Sequence, residues 1–392
     1  MARDFHTIVL GLGAMGTAAA AHLARRLHRL GQGDRVLGLE QFDIPHARGS
    51  SHGQSRLIRL AYYELPDYVP LLRRSYTLWR ELQAAVNTPL LHLTGGLYLG
   101  PESHELIAGS LRSAQQHELP HELLTRAALK RRYPQFELPP GFTAFFEPDA
   151  GFLQPEKAVA AHALLALRHG AELHAHEPAL EWTADDHEIS VRTPLASYRA
   201  RRLVITAGPW TARAVPFLAG SIRVTRQPMV WFWPHDPDAF LLGRFPCWCA
   251  AADEGGLVYG PPMLPGDLSP LGLKVSHHFP ARTADPDHVE LDFLPGDSDV
   301  PRAMLQRLLP LADGPVMGHR VCLYSNSPDH HFLIDRHPHH PAVTIAAGFS
   351  GHGFKFAPVI GEILADLALD GQTRHPIDFL RFRRTHPPSH TK

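Results

Sequence analysis

The chain opens on an apolar, β-branched run, HTIVL at 6–10, which predicts a strand. A glycine-rich turn, GLGAMG at 11–16, follows it, and then TAAAAHLARRLHRLG, whose apolar spacing predicts a helix ended by Gly31. RVLGLE at 35–40 predicts a second strand, parallel to the first. The same order of strand and glycine returns twice at long range. In RLVITAGPWT, 202–211, a β-branched run stops at Ala207 and Gly208. In AVTIAAGFSGHGFKFAPVIGEILADLAL, from 342, a strand ends in a glycine-rich loop and an amphipathic helix is predicted to follow. Between these segments, GGLYLG alternates apolar positions and GPPMLPGDLSPLG is rich in turn residues. They predict a mostly antiparallel sheet inserted into the strand and helix framework.

The first unit carries a specific chemical expectation. In a strand, turn and helix of this kind Gly11 allows the tight turn, Gly13 lets the backbone approach a pyrophosphate, and Gly16 lets the helix pack closely on the sheet. The helix N-terminus then points its positive end at the phosphates, and Glu40 stands at the end of the second strand. A dinucleotide site is expected here. A nicotinamide dehydrogenase needs only this first unit, whereas a chain wrapped around one extended cofactor needs several.

Composition narrows the picture further. At 392 residues the chain exceeds what one hydrophobic core usually supports, so two domains are expected. With 38 Lys and Arg against 39 Asp and Glu, no global field would recruit nucleic acid or an anionic membrane. No apolar run is long enough to span a bilayer, and no signal-peptide pattern precedes the first strand. Cys247, Cys249 and Cys322 form neither a disulfide framework nor a zinc pattern, which fits a reducing cytoplasm. Among the 28 histidines the densest group, DRHPHHP at 335–341, lies on a Pro-broken loop and reads as solvated, with no metal expected. RTHPPSHTK at the C-terminus reads as a disordered tail. Cys322, in RVCLYSNSPDHHFLID, is by default a core-filling thiol.

Several motifs, taken in order, resemble the flavin-dependent amine oxidases typified by monomeric sarcosine oxidase, with N-methyl-L-tryptophan oxidase and pipecolate oxidase as relatives. They are GLGAMG, FDIPHARGSSHGQSRLIRLAY at 42–62, EPDAGFLQPEKA at 147–158, VITAGPW, GLKVSHH at 272–278, VCLY, and GFSGHGFKFAPVIGE at 348–362. The resemblance covers nearly the whole chain. It implies an α/β, two-domain fold: a Rossmann-like FAD-binding domain and a discontinuous, mainly antiparallel substrate domain. We assign 1–85, 145–215 and 316–385 to the first and 86–144 and 216–315 to the second.

The resemblance also implies residue roles. FAD would be held by Gly11, Gly13, Met15, Gly16, Glu40, Ser51, His52, Arg56, Ala207, Gly208, Trp210, Gly348, Gly351, Gly353, Phe354 and Lys355. Cys322 falls where the family joins its flavin to sulfur through the 8α-methyl group; the alternative is a buried structural thiol. Arg59 and Lys355 match a clamp for the substrate carboxylate, which in a dry pocket needs cationic partners. His278 corresponds to a substrate-contacting histidine, with His277 the competitor one residue away, and Tyr259 and Tyr324 to pocket tyrosines; Arg56 would lie against the flavin among the catalytic groups. Lys274 takes the position of the lysine that activates O2, since an ammonium stabilises the negative charge formed as oxygen is reduced.

The implied enzyme oxidises a secondary α-amino acid, N-methyl or cyclic, by hydride transfer to flavin, and O2 restores the flavin with release of hydrogen peroxide. Its partners would be that small substrate and O2, and the chain is expected to be a monomer, with an oligomer open. GPPMLPGDLSP is longer than the sarcosine oxidase pattern, which leaves the size of the amine substituent open. The alternatives are a flavin-dependent dehydrogenase subunit that passes electrons to a protein or quinone, and a non-catalytic nucleotide-binding protein.

Overall fold

Strand β1, Arg3–Leu10, enters the turn at Gly11, helix α1, Ala14–Leu30, follows, and strand β2, Val36–Leu39, pairs parallel to β1. The computed structural model describes residues 3–382 apart from 32–34, 186, 254, 266–268, 270 and 280. The C-terminal RTHPPSHTK and part of GPPMLPGDLSP lie outside the described residues. Helix α1 stops at Gly31, whose φ of 65° lets its N–H return to the His28 carbonyl. Ala18, Ala19 and Ala20 are wholly buried, so the helix is thin enough to pack between the sheet and the helices Pro155–Arg168 and Ala357–Asp370.

An eight-stranded sheet forms around this unit. Strand Ser197–Ile205 pairs parallel to β1 and to Val343–Ala347, while β2 pairs parallel to Glu172–His174. One of the two distant strand and glycine segments therefore lies beside the first and the other beside that one, all parallel, with their carboxyl ends on one edge. A ligand of such a sheet binds outside those ends.

A nine-stranded sheet makes the second layer. Arg223–Phe232 pairs antiparallel with Leu273–His278, Arg282–Thr283 and Val316–Asn326, and the sheet continues through Leu257–Gly260, Cys247–Ala251, Gly96–Pro101, Phe142–Glu147 and Glu122–Leu124. Among the described residues, Cys247–Ala251 against Gly96–Pro101 is the one parallel pairing in this sheet. Side chains alternate between two faces. Val230, Phe232, Trp248, Leu273 and Val275 fill one core, whereas Met229, Trp231, Cys322 and Tyr324 group on the opposite face.

Two local expectations change. GGLYLG is buried on both faces: Leu97 and Leu99 join one core and Tyr98 another. The helix Ala357–Asp370 is not amphipathic, because it is enclosed by α1, by the helix Val69–Val86 and by the sheet, and of its residues only Asp370 is exposed. Among the described residues no helix is long and apolar enough to cross a membrane.

Candidate active site

A cavity of about 620 Å³ opens at the carboxyl ends of the parallel strands. Its wall includes Gly11, Gly13, Met15, Glu40, Ser51, Arg56, Ala207, Gly208, Trp210, Tyr324, Gly351, Gly353 and Phe354. The residues at its floor fit a dinucleotide. Gly11 has a φ of 85°, and a Cβ there would lie 2.6 Å from the Thr206 carbonyl oxygen; a Cβ on Gly16 would lie 1.8 Å from the Gly11 carbonyl oxygen. Only glycine permits that approach of helix to turn. Ser51 Oγ accepts the Ala14 N–H at 3.1 Å, no acid stands in the first turn of α1, and Gly13 and Ala14 line the cavity, so the positive end of the helix faces it. Glu40, buried at the end of β2, accepts the Leu12 N–H at 2.8 Å and the Phe42 N–H at 3.1 Å, which fixes its carboxylate on the cavity wall, where a ribose can be held.

Five residues expected at the cofactor stand off this wall. Gly16 is under the turn, and Gly348 packs against Ser327 and Ile222. Lys355 follows Phe354 in a buried 3-10 turn, Phe354–Phe356, of which Phe354 alone is on the wall. His52 is buried with no hydrogen bond to Nε2 among the described residues, and burial, then Arg56 and Lys274, lower its pKa to about 3. Cys322 lies on the sheet face that also carries Tyr324, and Arg56 Nη2 is 3.3 Å from its sulfur.

The strand alternation brings Lys274, Ser276 and His278 onto that same face, opposite the Leu273 and Val275 side. Lys274 is paired in register with Trp231 and Ser276 with Met229 and Tyr259. The Lys274 ammonium donates to the Gly53 and Ser55 carbonyls at 2.8 and 2.9 Å. Burial, then the Arg56 charge, pushes its pKa well down. His278 Nδ1 is 3.2 Å from the Tyr324 hydroxyl, and burial lowers the His278 pKa to about 3, leaving the ring neutral. His277 turns away, its Nε2 2.9 Å from the Gly255 carbonyl. Tyr259 and Tyr324 lie close together, both with hydroxyl pKa values raised chiefly by burial.

A second cationic cluster adjoins His278. The Arg59 guanidinium and the Lys355 ammonium both lie over the Tyr62 ring, at 4.4 and 5.3 Å from its centroid. Both cations are buried. Arg59 Nη2 donates to both oxygens of Glu64 at 2.7 Å, a pairing the sequence reading missed. Burial alone would raise the Glu64 carboxyl; Arg59, with His352 and Lys355, outweighs it and brings the pKa down to about 2. Lys355 Nζ donates to the His352 carbonyl at 2.7 Å, and burial, then Arg59, lowers its pKa to about 7. Tyr62 and His352, which were not singled out from the sequence, also belong to this cluster, as does Cys249, which was not expected at the site; Cys249 stands opposite Tyr259 in register.

Residues 6–367 match the family model described as FAD dependent oxidoreductase. The chain belongs to this family. Among curated members it is 42% identical over 386 residues to the monomeric sarcosine oxidase of Streptomyces avermitilis, covering 98% of both chains. It is 35% identical over 367 residues to the N-methyl-L-tryptophan oxidase of Salmonella heidelberg, covering 93% of this chain and 95% of that one. Among solved structures, NikD, an unusual amino acid oxidase essential for nikkomycin biosynthesis, superposes with a TM-score of 0.83 at 26% identity, covering 97% of each chain. Family membership makes the protein an FAD-dependent enzyme, in agreement with the glycine turn and Glu40.

Proposed function

We propose that the protein is an FAD-dependent oxidase of a secondary α-amino acid, N-methyl or cyclic, giving an imine that water hydrolyses, with hydrogen peroxide as the second product. One observation carries the substrate class. Lys355 is a buried ammonium that, among the described residues, makes a single hydrogen bond, and it shares the Tyr62 ring with Arg59. A lysine has three donors. Two remain for an anionic group in a pocket where an unpaired charge is costly, and a substrate carboxylate supplies that group. The relatives' names, sarcosine oxidase and N-methyl-L-tryptophan oxidase, point the same way.

Bound FAD supplies the redox chemistry, accepting a hydride from the carbon beside the amine nitrogen and delivering the electrons to O2. The cavity-wall residues would hold it, with the pyrophosphate at Gly11 and Gly13 and the ribose on Glu40. Arg59 enters this reading already paired with Glu64, so a substrate carboxylate must share the guanidinium or displace Glu64. His278 and Tyr324, linked through Nδ1 and the hydroxyl, orient the amine from one side. Because His278 stays neutral, it does not repel charge on the amine nitrogen. Lys274 provides the positive charge near which oxygen becomes negative.

We propose further that FAD is bonded to the Cys322 sulfur through its 8α-methyl group. Leu323, Tyr324 and Ser325 line the cavity immediately after Cys322, whereas no residue of Cys247–Ala251 stands on its wall and burial pushes the Cys247 and Cys249 thiol pKa values up to about 12. In our division of the chain, 1–85, 145–215 and 316–385 form the FAD domain and 86–144 and 216–315 the substrate domain. The strand Val316–Asn326 pairs with Arg223–Phe232 and so ties the two together across the site. We read the enzyme as a cytoplasmic monomer, on its three free cysteines and its likeness to monomeric relatives.

Peroxide release by the FAD-loaded protein, measured over a panel of N-methyl and cyclic α-amino acids, tests the reading. We expect at least one of them to give peroxide well above its primary-amine counterpart. Flavin reduced by a panel member but yielding no peroxide in air would instead identify a dehydrogenase.

A further inference from the structure

Lys274 is buried, the half-buried Arg56 acts on it from the cavity wall, and among the described residues neither cation has a carboxylate within direct hydrogen-bond reach. Two such charges need a counter-charge. The groups acting on Lys274 come from four elements: Arg56 on one strand, Cys322 on another, Glu156 in the first turn of the helix Pro155–Arg168, and His52 in the preceding loop, with the Trp231 ring 5.8 Å away. Glu156 is the single carboxylate among them.

Glu156 reaches Lys274 through the main chain. Its Oε1 accepts the Gly53 N–H at 2.6 Å and the Gln54 N–H at 3.1 Å, and Oε2 accepts the Gln54 N–H at 3.2 Å. The Gly53 carbonyl, in the same peptide group as the Gln54 N–H, accepts the Lys274 ammonium at 2.8 Å. One peptide unit thus stands between anion and cation with its dipole aligned to both, an arrangement in which each hydrogen bond strengthens the next. The turn is held in an uncommon shape for this purpose: Gly53 has a φ of 96° and Gln54 a φ of 67°, and Gln54 Oε1 is tied to the Trp231 Nε1–H at 3.0 Å.

We propose that Glu156 is a positioning residue, the counter-ion of Lys274 across the Gly53–Gln54 peptide group, which holds the Lys274 ammonium in place and charged. The effect on O2 rests on the reading of Lys274 given above; the effect on Lys274 itself does not.

The test separates the two. The chain has only five lysines, so FAD-loaded protein labelled with 15N-lysine gives few side-chain signals, and Lys274 is assigned by its loss in Lys274→Met. Glu156→Gln keeps an oxygen to accept the Gly53 and Gln54 N–H groups but removes the charge. We expect it to lower the Lys274 midpoint by about one pH unit and to slow reoxidation by O2 about tenfold above that midpoint, with flavin reduction by substrate changed less than about twofold. Glu156→Ala, which removes the acceptor as well, should lower the midpoint at least as far. A Lys274 midpoint unchanged in both variants overturns the proposal. A lowered midpoint with reoxidation unchanged in Glu156→Gln and in Lys274→Met upholds the counter-ion and refutes instead the role given to Lys274.

Discussion

Replacing Lys355 by Met removes the ammonium while keeping a long apolar stem, so it isolates what the charge does for a bound carboxylate. In the ligand-free protein burial, then Arg59, sets the Lys355 pKa at about 7, with Glu64 opposing them. Near neutrality the residue is therefore partly protonated, and an anionic ligand captures the protonated form. The sign follows directly. Below about pH 7 the ammonium is already present and affinity should be flat; above it each pH unit should weaken binding about tenfold, until the raised midpoint of the complex is reached. A charged hydrogen bond in such a site is worth about 1.5–3 kcal/mol, so Lys355→Met should cost about ten- to a hundredfold in affinity on the acid side. The probe is a thioether carboxylate shaped like an N-methyl amino acid, which has no titrating amine, and its binding is read from the FAD absorption spectrum. Equal affinity of wild type and Lys355→Met at pH 6, or the same pH dependence in both, would refute the clamp.

Lys274→Met should slow reoxidation of the reduced enzyme by O2 far more than reduction by substrate; stopped-flow traces with equal losses in both half-reactions would make Lys274 a structural residue. Cys322→Ser should release its FAD on acid precipitation, whereas wild type and the Cys247→Ser and Cys249→Ser variants keep the yellow colour in the pellet, and a flavin-bearing peptide containing Cys322 should appear by mass spectrometry. Gly16→Ala forces a methyl group against the Gly11 carbonyl oxygen, where its Cβ would lie at 1.8 Å; we expect weaker FAD retention and a lower Tm, and an unchanged FAD content would show that the turn relaxes.

What could be read in the sequence follows the range of the interactions. The unit from Arg3 to Leu39 was legible because its signals are local: a β-branched run, spaced glycines and an alanine-rich helix ended by Gly31. The sides taken by Lys274 and His278 follow from period two, since Leu273 and Val275 claim the core face. That same rule separates His278 from His277. The partners of these residues were not legible. Glu64 answers Arg59 from only five residues away, in a stretch with no helical or strand period to show that the two side chains meet, whereas Glu156 answers Lys274 through a peptide group contributed by a third segment far from both in sequence. An acid of this kind looks like any solvated carboxylate until the sheets bring the segments together. Burial misled the reading at the last helix for a related reason: an amphipathic helix was expected, but its acids Glu362 and Asp366 are consumed by Arg74 and Arg26 on neighbouring helices.

The central claim, oxidation of a secondary α-amino acid with O2 as acceptor, is tested most directly by an anaerobic titration followed by air. The account predicts that one equivalent of a turned-over N-methyl or cyclic α-amino acid bleaches one equivalent of bound FAD, and that admitting air restores the colour promptly with one equivalent of hydrogen peroxide. Flavin that is bleached by the amino acid but stays reduced in air, recovering only with an added quinone or protein acceptor, would contradict it.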